Sequence, residues 1–172
     1  MTIHGDHPFL PPESERSPVR RFRGRLPSPV GLWTASYDGE RAGLTVSSML
    51  VADGEPGYVV GMIDPESDLW ETMCEARTAV VSLLGEPHRQ LADAFGYVAP
   101  APGGPFRMID WTDTAWGPAP VGVSAWVGCK LVDQDPPELG WGVQVHLEIV
   151  HVEIAADDVP ALVHRRGRYV TI

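Results

Sequence analysis

Apolar residues in this chain mostly fall in short, β-branched runs separated by Gly, Pro, Asp and Asn-free polar turns, and only two stretches carry helical spacing. Val30 to Tyr37 predicts a strand, and Asp38-Gly39 is a hairpin signal, because both residues tolerate the positive φ of a tight turn. Ala42 to Leu50 then returns as a second strand, and the apolar run Tyr58 to Ile63 is a buried third. From Ser67 to Glu75, Leu69, Met73 and Ala76 recur at helical spacing behind Ser67 as a cap. Thr78 to Leu84 predicts another strand. Pro87 to Phe95 predicts a short helix, with Pro87 in its first turn and Leu91, Ala94 and Phe95 facing inward.

A Pro/Gly loop from Ala99 to Pro105 leads through Phe106 to Trp111 into three closing strands, Val123 to Val132, Val143 to Ile154 and Leu162 to Ile172. In the second of these, His146 and Glu148 alternate with Val143, Val145, Leu147 and Ile149, which marks one wet and one buried face. By the same alternation His146 and His151, five apart, should face opposite sides. Many antiparallel strands with two small helices predict a mainly β chain closed as a Greek-key barrel.

The first 28 residues break this pattern. Pro8, Pro11, Pro12, Pro18 and Pro27 interrupt any long element, and Arg20-Arg21-Phe22-Arg23-Gly24-Arg25 concentrates positive charge. We divide the chain into a Pro/Arg-rich arm, residues 1–28, and a barrel domain, residues 29–172. The arm reads either as a solvated segment or short helix lying on a partner subunit, or as a cationic lip beside an anionic cofactor.

Bulk composition narrows the function classes. A chain of 172 residues is one domain by length and can bury a sizeable core. The net charge of −10 argues against nucleic acid or an anionic membrane as partner. Cys74 and Cys129 form no CxxC pair and read as reduced, buried thiols of a cytoplasmic protein. Neither an 18-residue apolar run nor a signal-peptide core occurs. His4, His7, His88, His146 and His151 make no HxH or HExxH grouping, so no metal site is expected. GxSxG, GxGxxG and Walker A loops are likewise absent, and no catalytic acid, base or nucleophile stands out.

What remains is Gly43-Leu-Thr-Val-Ser-Ser48, followed by an apolar strand and the polar turn Asp64-Pro-Glu-Ser-Asp68. Hydroxyls at a strand end, a glycine that admits close approach, and a capped helix N-terminus suit a flat, phosphorylated ligand. With Ala79-Val-Val-Ser-Leu-Leu84, Leu91-Ala-Asp-Ala-Phe95, Phe106-Arg-Met-Ile-Asp-Trp111, Ala125-Trp-Val-Gly-Cys129 and Arg166-Gly-Arg-Tyr169, the chain resembles the flavin reductase-like family from about Pro29 to Tyr169. That resemblance implies an FMN-binding split β-barrel, FAD being the other flavin to consider. It implies that Arg41, Ala42, Gly43, Leu44, Thr45, Ser47 and Ser48 line the ring and ribityl chain. Met62, Ile63, Asp64, Ser67, Asp68 and Leu69 would wrap the ribityl and phosphate, and Phe95, Gly96 and Phe106 would complete the wall. Arg166, Gly167, Arg168 and Tyr169 would place the nicotinamide nucleotide. The implied activity is hydride transfer from NAD(P)H to flavin in a homodimer, with a flavin-dependent monooxygenase as possible recipient of reduced flavin.

Two positions depart from the family pattern. Gly140-Trp141-Gly142 stands where the family carries Gly-Asp-His, and Ser67-Asp68-Leu69 replaces a turn with two hydroxyls. Trp141 could instead cover a flavin or a nicotinamide with its ring. The missing His motivates a second reading, a flavin carrier or electron-transfer module without NAD(P)H activity. A deazaflavin enzyme and a cofactor-free barrel are the further alternatives.

Overall fold

The computed structural model describes residues 17–156 and 159–172. Expectations placed on residues 1–16, including Pro8, Pro11, Pro12, His4 and His7, lie outside the described residues. The order of elements is α1 (Pro18–Arg25), β1 (Ser28–Pro29), β2 (Gly31–Tyr37), β3 (Glu40–Val46), β4 (Met49–Ala52), β5 (Tyr58–Ile63), α2 (Asp68–Ala76) and β6 (Thr78–Leu83). It continues with α3 (Arg89–Phe95), β7 (Trp111–Thr114), β8 (Gly117–Pro120), β9 (Ala125–Leu131), β10 (Glu138–Leu139), β11 (Gly142–Ile154), β12 (Leu162–Arg165) and β13 (Arg168–Thr171). The mainly β expectation holds.

The main sheet runs β3-β2-β6-β9-β11-β5-β4, every pairing antiparallel. Its two edge strands, β3 and β4, are consecutive in the chain, so the sheet curls round and its ends meet at Ser47-Ser48. Met62 N–H donates to Ser48 O at 2.9 Å at this corner. Inside the curl lie Trp33, Val46, Val59, Ile63, Val81, Cys129, Val145 and Leu147, and α2 adds Leu69 and Met73 to the same cluster. Gly61 makes room for Trp33, since a Cβ there would stand 2.7 Å from the indole. A second cluster packs α3, through Leu91, Ala92 and Phe95, against Val30, Leu32, Leu84 and Leu162.

The structure corrects several sequence expectations. The stretch Ala42 to Leu50 is not one strand: β3 ends at Val46, the chain turns a corner at Ser47-Ser48, and β4 joins the opposite edge. Leu162 to Ile172 is a hairpin rather than a strand, turned by Arg166 (φ 52°) and Gly167 (φ 77°). That is the same left-handed pair that turns β2 into β3 at Asp38 (φ 49°) and Gly39 (φ 83°). The helix expected from Pro87 is a 3-10 turn over Glu86–His88 that passes into α3. The hairpin β7–β8 lies in a stretch where the sequence pattern predicts no strand. Finally, β11 carries a bulge at Val150, where the register against β9 steps from Ile149–Cys129 to His151–Gly128. The extra residue reverses the alternation, so His146 and His151 share the outer face. There His151 stacks on Trp116 with ring centroids 4.8 Å apart.

Candidate functional site

The corner at Ser47-Ser48 gathers much of the expected flavin-lining set, and the local sequence explains why it forms. Val46 turns inward to the core, while the two serines leave the ladder and stand half-buried at the rim. Thr45 Oγ donates to Ala92 O of α3 at 2.8 Å, which ties β3 to the turn before Phe95-Gly96. A Cβ on Gly96 would lie 3.8 Å from the Thr45 Cβ, so these two expected residues are neighbours. Met62 joins them through its bond to Ser48. Leu44, Thr45, Ser47, Ser48, Met62, Ser67, Gly96 and Phe106 are half-buried.

Below the corner, the chain from Asp64 to Ser67 is a self-bonded turn. Asp64 Oδ1 accepts from Glu66 N–H at 2.9 Å, and Asp64 O accepts from the Ser67 hydroxyl at 2.7 Å. Ser67 Oγ in turn accepts from Trp70 N–H at 3.3 Å, the N-cap bond expected from sequence. A helix N-terminus leaves its first-turn N–H groups open, here those of Asp68 and Leu69, and these favour an anion. Asp68 itself is exposed and adds a negative charge beside them.

Other expected residues offer less than the sequence suggested. Ala42, Ile63, Leu69 and Phe95 point their side chains into the core, which leaves their main chain alone for a ligand. The space beside Gly43 is taken by this chain's own Phe95: a Cβ there would stand 2.7 Å from its ring. The glycine therefore admits a phenylalanine rather than a ligand from that side. Phe95 in turn meets Phe106 edge-on at 4.9 Å, and Phe106 lies 4.8 Å from Trp111. Arg41 is exposed at the far end of the β2–β3 hairpin and is held by Asp113 at 2.6 Å. It lines a shallow depression of about 290 Å³ with Ser36, Tyr37, Asp38 and Gly39, away from the serine corner.

The nucleotide-placing set splits in two. Arg166 and Gly167 form the β12–β13 turn, while Tyr169 packs inward beside His164. Burial, followed by the charge of Asp93, pushes the Tyr169 phenol up to about 12. Trp141 stands fully exposed at the tip of the β10–β11 hairpin. The next residue, Gly142, has no room for a Cβ: one would meet Ile63 O at 2.9 Å. The hairpin tip is thus held beside the end of β5 that leads into the Asp64 turn, with Trp141 open to solvent.

One residue at the corner escaped the sequence reading. Tyr97 sits just past Gly96 with φ 56°, and its phenol is raised first by desolvation and then by the charge of Asp68. Arg23 of α1 donates to Ser48 Oγ at 3.3 Å. The aromatic residue after a helix-ending glycine could have signalled Tyr97, whereas Arg23 belongs to the arginine cluster that the sequence already sets apart. Among the described residues no three His, Cys, Asp or Glu gather as a metal site, and no helix is long and apolar enough to cross a membrane. Both thiols are free, and burial raises Cys129 to about 12.

Comparison with known proteins settles the lineage. The model of the flavin reductase like domain matches residues 23–172. The chain belongs to this family. A curated relative, the FMN reductase (NADH) RutF of Pantoea ananatis (strain LMG 20103), is 27% identical over 119 residues, 68% of this chain and 62% of the relative. The chain therefore spans under two thirds of that flavin reductase in the match. Nitrilotriacetate monooxygenase component B from Mycobacterium thermoresistibile superposes with a TM-score of 0.80 at 22% identity, covering 90% of this chain and 84% of that one. The Streptomyces globisporus C-1027 NADH:FAD oxidoreductase SgcE6, in complex with NAD and FAD fragments, gives 0.79 at 20% identity, over 94% of each chain. These likenesses show the flavin reductase split-barrel fold, as the sequence resemblance implied.

Proposed function

We propose that this chain is an NAD(P)H-dependent flavin oxidoreductase that binds FMN, or FAD, at the serine corner. The observation that carries the reading is the meeting of Thr45, Ser48, Met62 and Gly96 at the seam of the barrel, above the open N-terminus of α2. The residues fit a flavin: half-buried hydroxyls for a ribityl chain, main-chain groups outside the ladder for a ring edge, and first-turn N–H groups for a phosphate. The cofactor supplies the hydride chemistry when bound, so the protein needs no acid or base of its own. Its part is orientation. Main-chain N–H groups from Thr45 to Ser48 would favour negative charge on the ring, and Ser67 with the N–H groups of Asp68 and Leu69 would hold the phosphate. Arg166, Arg168 and Tyr169 would receive the nucleotide.

The relatives support the setting of this activity. One carries the name of an NADH-dependent FMN reductase and another that of a monooxygenase component. We infer that the working unit is a cytoplasmic homodimer that hands reduced flavin to a monooxygenase. The carrier reading keeps one specific observation in its favour, the exposed Trp141 followed by Gly142 where the family carries Asp-His. The deciding experiment is an anaerobic absorbance spectrum of the protein with FMN, before and after NADH or NADPH. Fading of the flavin band supports the reductase. Tight FMN binding with no fading under either nucleotide replaces it with the carrier.

A further inference from the structure

The chain carries 13 Lys and Arg against 23 Asp and Glu, yet six of those cations crowd one rim. Arg20, Arg21 and Arg23 lie on α1, and Arg165, Arg166 and Arg168 lie at the β12–β13 turn; all six are exposed. The two groups are fastened together, because Arg166 N–H donates to Gly24 O at 2.7 Å. Arg23 then reaches from α1 to Ser48 at the serine corner, 3.3 Å away. Among the described residues, none of the six pairs with a carboxylate. Close-packed like charges raise the energy of the fold in proportion to their proximity. In a strongly acidic protein such crowding is the opposite of what even solvation would give. Burial, and then the Arg23 charge, also lower the pKa of His164, which keeps that ring neutral beneath the rim.

The ligand chemistry follows from the guanidinium. Its planar fork pairs bidentately with phosphate oxygens, and a dianionic phosphate outbids a hydroxyl at such a rim by a charge-assisted bond. The α2 N-terminus is already suited to the flavin phosphate. We propose that the arginine rim holds the 2′-phosphate of NADPH and so makes NADPH, rather than NADH, the preferred hydride donor. This rests on the flavin oxidoreductase reading above, and the test separates the two.

Calorimetry on the intact protein compares 2′,5′-ADP, 5′-AMP and inorganic phosphate, with FMN titrated separately. The expected result is 2′,5′-ADP binding at least about tenfold tighter than 5′-AMP, an advantage that shrinks with added salt. In steady-state assays the kcat/KM ratio of NADPH to NADH should exceed about ten, and in the Arg20→Gln/Arg165→Gln double variant it should fall towards one. Both positions are exposed, so a circular-dichroism melt should match the parent. Equal binding of 2′,5′-ADP and 5′-AMP overturns the proposal. So does inorganic phosphate that displaces 2′,5′-ADP at equal concentration, or a nucleotide ratio indifferent to the double variant. Tight 2′,5′-ADP binding with no FMN binding would instead uphold the rim and sink the reductase reading.

Discussion

Ser67 spends its hydroxyl twice within its own turn, donating to Asp64 O and accepting from Trp70 N–H. A phosphate here must share that oxygen or displace the Asp64 bond. Ser67→Ala should therefore cost about 1 kcal/mol of stability as a lost N-cap, read by urea denaturation. It should also weaken FMN binding, read by fluorescence titration. Ser82 is the converse case: its hydroxyl is fully buried and has no hydrogen-bond partner. Removing a buried hydroxyl that is not bonded relieves a desolvation penalty, so Ser82→Ala should raise stability by about 1 kcal/mol. An unchanged or lower urea midpoint would refute that.

At the scale of elements, legibility followed the turn chemistry. Asp38-Gly39 announced its hairpin because both residues favour positive φ, whereas Arg166-Gly167 makes the same turn with a residue that rarely adopts it. The β7–β8 hairpin was hidden because Pro118 and Pro120 deny its second strand half of its donors. The corner at Ser47-Ser48 was invisible because apolar residues continue on both sides of it; only the change of edge distinguishes β3 from β4. The candidate site was legible where local sequence builds it, as with Thr45 and Ser48 in one motif and Ser67 at its helix cap. It was not legible where a long-range packing partner decides, as with Phe95 filling the space at Gly43. The β10–β11 hairpin gives a clean functional probe. Trp141 makes no buried contact, so Trp141→Ala should leave the melting temperature unchanged while raising the KM for the nicotinamide nucleotide.

The molecule as a whole should respond to mild acid. Burial lowers the pKa of His88, whose Nδ1 accepts from Gly85 N–H at 3.2 Å, and burial with Arg23 lowers that of His164. Both rings are harder to protonate in the fold than in the unfolded chain, so protons favour the unfolded state. Their contribution is complete above the unfolded value of 6.5 and is lost as pH falls from there through the depressed folded values. Urea midpoints should thus drop between neutral pH and about pH 5, before most carboxylates titrate. His88→Gln should flatten that slope.

The seam at Ser47-Ser48 carries a wider consequence. A curled sheet whose first and last strands are one continuous segment behaves as a hoop with a single clasp. Whatever occupies the clasp resists the hoop's springing open, however far away the opening starts. Slowed amide exchange in β6 and β9, on the opposite side of the ring from the clasp, would then be the distant signature of a molecule lodged there.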